Sequence, residues 1–273
     1  MAQDGNLMKG RRGLIMGVAN DHSIAWGIAR AAAAQGAELA FTYMGESLKR
    51  RVQPLADSVG AKLVLPADVE DAASLDALFE SVAKLWGRFD FLVHAIAYAD
   101  KSELKGRYVE TTRANFARAL DISCFSFTDI ARRASPMMNP GGALLTLTYL
   151  GAAKVIPNYN VMGVAKAALE ASVRYIAADL GRDGLRVNGL SAGPMRTLAS
   201  SAIADGRLMF KWNRHHAPLK RTIDLDDVGK AGLYLVSPLS SGVTGEIHYV
   251  DAGYNIIGLP AVADLAAMDA EKE

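Results

Sequence analysis

Cysteine is nearly absent from the 273 residues: Cys124 stands alone. No intramolecular disulfide and no Cys-rich metal site can form from it, and a reducing compartment is the expected setting. A surplus of one charge is also lacking. The 30 Lys and Arg against 29 Asp and Glu leave a net charge of +1, without the global signature of a nucleic-acid binder or an acidic tail. No apolar run reaches the roughly 18 residues of a membrane span; even residues 29–40 are interrupted by Arg30, Gln35 and Glu38. The opening M-A-Q-D-G-N-L-M-K-G-R-R lacks the apolar stretch of a secretory signal, so a soluble cytoplasmic protein is expected. The histidines are no better placed for a metal. His215 and His216 are adjacent, about 100° apart on a helix, and His22, His94 and His248 have no Cys or carboxylate at ligand spacing. No metal site is expected.

What the chain does have is alternation. Short runs rich in Val, Ile, Leu and Ala read as strands over Gly13–Val18, Ala37–Tyr43, Ala61–Pro66, Phe89–Ala95, Ala143–Leu147, Leu185–Leu190 and Glu246–Val250. Helical spacing fills the stretches between them: Ile24–Gln35, Glu46–Val59, Ala72–Trp86, a long helix over Glu110–Ala134, another after Asn158, and Leu225–Val236. Repeated βα units with near-continuous apolar strands predict an α/β fold, one domain built on a doubly wound, Rossmann-type parallel sheet. Ligands of such sheets sit beyond the carboxyl ends of the strands.

Chemistry-bearing residues fall at those ends. The first strand runs into G-V-A-N-D-H-S-I-A-W-G, a small-residue turn around Gly17, Ser23 and Ile24 that lets backbone N–H groups approach a pyrophosphate. Ser23 serves equally as a helix N-cap. Asp68 beside Val69 closes the third strand and reads either as an adenine contact or as an N-cap. Ile96 and Ala97 follow the fourth strand, and S-A-G-P-M-R-T-L follows the sixth. Residues 197–216 form an apolar-faced helical excursion longer than a βα loop needs, expected as a substrate lid. Residues from about 260 read as a polar tail. Within Y-L-G-A-A-K-V-I-P-N-Y-N-V-M-G-V-A-K, Tyr159 and Lys166 are seven apart. On one helix they share a face about 10 Å apart along the axis. A cation there favours the ionised phenol by its field and keeps three donors for a ligand. Taken alone, the pair equally fits a half-buried Tyr and a snorkelling Lys on an amphipathic helix.

Together these motifs, with R-V-N-G-L-S-A-G-P-M-R-T-L and G-E-I-H-Y-V-D-A-G-Y-N-I, resemble the bacterial NADH-dependent enoyl-acyl-carrier-protein reductases of the short-chain dehydrogenase type over residues 8–258. The Tyr-x6-Lys spacing carries the resemblance most sharply, since most short-chain dehydrogenases use Tyr-x3-Lys and position 162 here is Met. The resemblance implies hydride delivery from NADH to the β-carbon of a trans-2-enoyl thioester in fatty acid elongation. Tyr159 would hydrogen-bond the thioester oxygen, Lys166 would hold the nicotinamide ribose, and Tyr149 would shape the pocket. Gly17, Ser23, Ile24, Asp68, Val69, Ile96, Met195 and Thr197 match cofactor-contacting positions; Ala97, Met162 and Ile203 match positions along the substrate pocket. It also implies a homotetramer built through the long helices, which suits the spacing Phe116, Leu120, Cys124, Phe127. The chain departs from the family at Met44, where members often carry Gln, at Ala97, where Gly is common, and in the lid. There Arg207 is the basic residue retained, with Lys211 and Arg214 as substitutes.

Three other readings rank lower. A serine hydrolase is suggested by Gly189-Leu190-Ser191-Ala192-Gly193 with Asp226 and His248 downstream, but Pro194 intrudes where the elbow helix must start. A dinucleotide sensor, or a 3-ketoacyl-carrier-protein reductase, uses the same fold. The sensor has no need of Tyr159 with Lys166, and the ketoreductase is disfavoured by the missing Tyr-x3-Lys.

Overall fold

The computed structural model describes residues 5–195, 206–259 and 261–264. Thr197, Ile203 and most of the expected tail lie outside the described residues. In chain order the elements are β1 (Arg12–Met16), α1 (Ile24–Ala34), β2 (Glu38–Tyr43), α2 (Gly45–Ser58), β3 (Leu63–Pro66), α3 (Ala72–Trp86), β4 (Phe89–His94), α4 (Arg113–Leu120), α5 (Ser126–Ala134), β5 (Met138–Thr148), α6 (Asn160–Leu180), β6 (Arg186–Ala192), α7 (Gly206–His216), α8 (Leu225–Val236) and β7 (Ile247–Val250). The strands form one parallel sheet in the order β3-β2-β1-β4-β5-β6-β7. The order reverses between β1 and β4, so a crevice opens at their carboxyl ends.

Both faces of the sheet are covered, which is why the central strands tolerate no polar alternation. One face carries Ile15, Phe41, Phe91, Val93 and Leu145 against α1, α2 and α8; the other carries Leu14, Met16, Leu92 and Leu144 against α3, α5 and α6. Gly27, read from the sequence within the cofactor turn, has a packing duty here. A Cβ on Gly229 would fall 2.7 Å from Gly27 O, and one on Gly27 would fall 2.8 Å from Leu225 O. Glycine at both places is what lets α1 and α8 cross in backbone contact. Arg186, only 7% exposed, donates to Leu235 O, Ser237 O and Ser240 Oγ at 2.9, 3.0 and 2.6 Å. A cation at the carbonyl end of α8 is matched to the helix dipole and fixes β6 beneath it.

The expected helix over residues 110–134 starts later and is interrupted. Thr112 caps α4 by accepting from Asn115 N, and a π-helical turn over Asp121–Phe125 separates α4 from α5. Ser126 Oγ donates to Ile122 O at 2.6 Å, one of the side-chain bonds that hold the widened turn. Its effect reaches the crevice, because Ser123 Oγ within the turn accepts from Tyr98 N at 2.9 Å and anchors the loop after β4.

Candidate active site

Tyr159 does not lie within the helix. It occupies the position before α6, at φ −99° and ψ −26°, between Asn158 at φ +60° and Asn160 at φ +38°. Asparagine enters the left-handed region at small cost, and the pair twists the chain so that the phenol turns inward. Asn160 Nδ2 donates to Glu103 O at 3.2 Å and to Gly106 O at 3.4 Å, tying the start of α6 to the loop after β4. Gly151 gives the ring its room: a Cβ there would fall 2.4 Å from Tyr159 Cδ1. Tyr149 meets the ring edge-on, with centroids 5.1 Å apart at 77°.

Burial governs the charges. Loss of water pushes the Tyr159 phenol far above its ordinary range, with Tyr149 and Glu170 adding to the rise. Tyr149 is pushed up to about 12, again chiefly by burial, with Tyr254 and Asp251 contributing. The expectation that Lys166 favours an ionised Tyr159 is not met: burial holds the phenol neutral, a hydrogen-bond donor. Lys166 is itself buried and drawn down to about 8 by desolvation, while Cys124 and Glu170 oppose the fall. Nor does it keep three donors, since Nζ donates to Leu147 O at 2.8 Å. That bond fixes the ammonium and leaves two hydrogens directed elsewhere.

These groups line a cavity of about 710 Å³ at the carboxyl ends of β1, β4, β5 and β6. It gathers Gly17, Ser23, Ile24, Ile96, Ala97, Tyr149, Tyr159, Met162, Lys166 and Met195 from the sequence-predicted set. Gly17 sits at φ +93°, and a Cβ on it would fall 2.1 Å from Ala95 O, so only glycine permits β1 and β4 to close together here. Ser23 precedes α1 but does not cap it in the usual sense. Its Oγ accepts from Ala19 N at 3.0 Å and Asn20 N at 3.1 Å, folding the turn back on itself. Asp68 and Val69 stand at the tip of β3 and do not line the cavity. The N-cap reading of Asp68 is also corrected: Asp71 caps α3 through Ala73 N, and Asp68 Oδ1 accepts from Glu70 N at 3.0 Å.

Several contributors escaped the sequence reading. Thr148, Leu104 and the Leu147 carbonyl complete the wall, and Met209 with Phe210 of α7 closes one side. The last two fall within the expected lid, where their apolar spacing on a basic helix was the available signal.

A dinucleotide fits this arrangement. The crevice is at the sheet's reversal point, Ile24 and Ala25 of the first turn of α1 open into it beside the Cβ-less Gly17, and Lys166 offers two donors from a fixed position. A hydrolase does not fit. Ser191 is 1% exposed inside β6 and pairs in register with Thr148 and Tyr249. Asp226 lies on α8 bound to Arg30, and His248 lies on β7 beside Tyr234. Among the described residues no His, Cys, Asp and Glu cluster suits a metal. His94 is packed, as expected, between Thr146 Oγ1 and Ser126 Oγ at 3.1 and 2.9 Å.

Comparison with known proteins gives the family. The family model described as "Enoyl-(Acyl carrier protein) reductase" matches residues 17–255. The protein named enoyl-[acyl-carrier-protein] reductase [NADH] 2 of Rhizobium meliloti is 61% identical over 265 residues, 97% of this chain and 99% of that protein. The crystal structure of the Anaplasma phagocytophilum reductase in complex with NAD superposes with a TM-score of 0.92 at 56% identity, covering 96% of this chain and 100% of that one. That of the Bacillus cereus enoyl-acyl carrier protein reductase with NADP+ and an indole naphthyridinone superposes with a TM-score of 0.91 at 49% identity, over 93% and 99%. The chain belongs to the enoyl-(acyl carrier protein) reductase family.

Proposed function

We propose that this chain reduces the carbon–carbon double bond of trans-2-enoyl-acyl-carrier-protein with NADH, the reducing step of fatty acid elongation. The observation that carries the reading is a neutral, buried Tyr159 facing the same cavity as a fixed Lys166. NADH, when bound, supplies the hydride that reaches the β-carbon. Charge then develops on the thioester oxygen as an enolate, and Tyr159 donates a hydrogen bond to it. In a dry site a fixed donor needs no reorganisation as that charge appears. Because the phenol resists ionisation, it remains a donor throughout the neutral range.

Lys166 holds the nicotinamide ribose with the two hydrogens that Leu147 O does not use. Gly17, Ser23, Ile24, Ile96 and Met195 line the cofactor path, Asp68 and Val69 stand beyond it at the tip of β3 for the adenine end, and Thr197, outside the described residues, is assigned to the cofactor by the family motif alone. Tyr149, Met162 and Ala97 border the acyl chain and Met209 and Phe210 close over it, while Ile203, outside the described residues, is assigned to the acyl pocket by the family motif alone. NADH is preferred over NADPH because Lys49, on the helix after β2, is engaged locally: it sits 3.6 Å from Glu46 and over the Tyr43 ring at 5.6 Å. Met44, 59% exposed, offers no charge to a 2′-phosphate.

Assembly as a homotetramer through α4 and α5 is supported by Phe116 and Phe125, exposed at 37% and 57%. Phe127, expected in that seam, is spent in the core at 0% exposure. A cytoplasmic setting is supported by the lone cysteine, and among the described residues no helix is long and apolar enough to cross a membrane.

The test follows reduced-nicotinamide absorbance with purified protein, NADH or NADPH, and a 2-octenoyl thioester. Oxidation of NADH that depends on the enoyl substrate is expected. Oxidation only with an acetoacetyl thioester contradicts the reading.

A further inference from the structure

Glu170 stands one helical turn beyond Lys166 on α6, half-buried, and does not line the cavity. Its Oε1 accepts from Thr148 Oγ1 at 2.7 Å. Thr148, 5% exposed, does line the cavity, between Leu147, whose carbonyl takes Lys166 Nζ, and Tyr149. It is also the last residue of β5, and its pairing with Ser191 is the last register pair with β6. Past that pair no ladder bond holds the chain, and Tyr149 leads into a short 3-10 turn over Leu150–Ala152. Side chains at i and i+4 share a helix face. Lys166 and Glu170 therefore grip two successive residues of the strand tip from one side, the first by a main-chain oxygen and the second by a hydroxyl.

We propose that Glu170 is a positioning residue for this site. Its carboxylate pins the end of β5 through Thr148 and so sets Tyr149 against Tyr159, and its charge stands one helical turn from the buried Lys166 that holds the ribose. The inference rests on the proposed reduction and on the ribose role of Lys166.

The charges around the pair support both halves. Lys166 is faced by His94 from β4, Cys124 from the π-turn and Glu170 from its own helix; Cys124 and Glu170 hold its proton on against burial. Glu170 is faced by Thr148 from β5, Lys166 and Arg174 from α6, Tyr249 from β7 and Tyr159 at the helix start. Burial lifts its own titration above the usual carboxylate range, while the Thr148 bond, Arg174 and Lys166 pull it back.

Two substitutions separate bond from charge. Glu170→Gln keeps an acceptor oxygen for Thr148 and removes the charge; Thr148→Val keeps the charge and the strand-forming shape but removes the bond. NADH affinity is read by fluorescence from about pH 6 to about pH 9.5 without substrate, and kcat is read with a 2-octenoyl thioester. In the unmodified protein, affinity is expected to fall as the pH rises through about 8, where Lys166 loses its proton. Glu170→Gln is expected to move that fall to lower pH while keeping kcat within about twofold at the acid end. Thr148→Val is expected to leave the midpoint in place and lower kcat about five- to tenfold, the effect of one lost buried hydrogen bond. A wild-type alkaline limb in Glu170→Gln, or a wild-type kcat in Thr148→Val, overturns the proposal. If the unmodified protein oxidised no NADH with any enoyl thioester, the reduction itself would be contradicted. The affinity limb, which needs no substrate, would still decide the role of the charge.

Discussion

Gly151→Ala places one methyl group directly behind the Tyr159 ring. The new Cβ would lie 2.4 Å from Cδ1 and 2.7 Å from Cε1, whereas carbon atoms rest about 3.5–4.0 Å apart. Ring or turn must therefore give by about 1.2 Å. Neither has much freedom. The Tyr159 ring is 8% exposed with Tyr149 edge-on beside it, and Gly151 O already sits so near α6 that a Cβ on Gly163 would be 2.8 Å from it. A misplacement of about 1 Å in a catalytic constellation costs about 10²-fold in rate. Overpacking costs about 1–3 kcal/mol, a fall in Tm of about 2–4 °C per kcal/mol for a chain of this size, so the variant stays folded at room temperature. Steady-state oxidation of NADH with a 2-octenoyl thioester is expected to show kcat lowered about 100-fold. NADH affinity should stay within about twofold, because Lys166 and the Gly17 turn are untouched. A kcat within about threefold of the unmodified protein would refute the claim that Gly151 exists to seat the ring.

Three further outcomes follow from the same geometry. Tyr159→Phe is expected to lower kcat by about 10²–10³, the cost of losing one oxyanion donor, with NADH affinity nearly intact; an unchanged kcat contradicts the assignment. Lys166→Ala is expected to weaken NADH binding by titration calorimetry, and undiminished affinity would remove it from the ribose. His94 is held near pKa 3 by burial, against about 6.5 in the unfolded chain. Between those values the unfolded chain binds a proton that the fold refuses, so stability falls as the pH drops, by about 2 kcal/mol from pH 6.5 to pH 5. His94→Asn, which cannot charge, should flatten the slope of urea stability against pH over that range; an unchanged slope contradicts the assignment.

Much of the fold was legible because local signals agreed with tertiary need. Ala72–Trp86 and Leu225–Val236 form over the expected ranges, each opened by an aspartate cap, Asp71 and Asp224. The strands followed from uninterrupted apolar runs. The misreadings arose where distant contacts decide. The π-turn at Asp121–Phe125 is invisible to a 3.6-residue period, since one widened turn barely shifts it. Met138-Asn139-Pro140-Gly141-Gly142 reads as a turn, yet it begins β5 by pairing Met138 with Phe89 across a register shift. Tyr159 left the helix because Asn160 is bound to carbonyls at Glu103 and Gly106, more than fifty positions earlier. The tyrosine and lysine of the motif do meet in one cavity. Spacing along a helix says nothing of burial, which is what raises the phenol and draws the lysine down.

The most direct measurement is the fate of a label. NADH carrying deuterium at the transferred position is incubated with the protein and a trans-2-octenoyl thioester, and the product is analysed by mass spectrometry and NMR. One deuterium at the β-carbon of a saturated thioester for each NADH oxidised is the predicted result. Deuterium on a carbinol carbon from a 3-ketoacyl thioester, with none appearing in the octenoyl substrate, would contradict it.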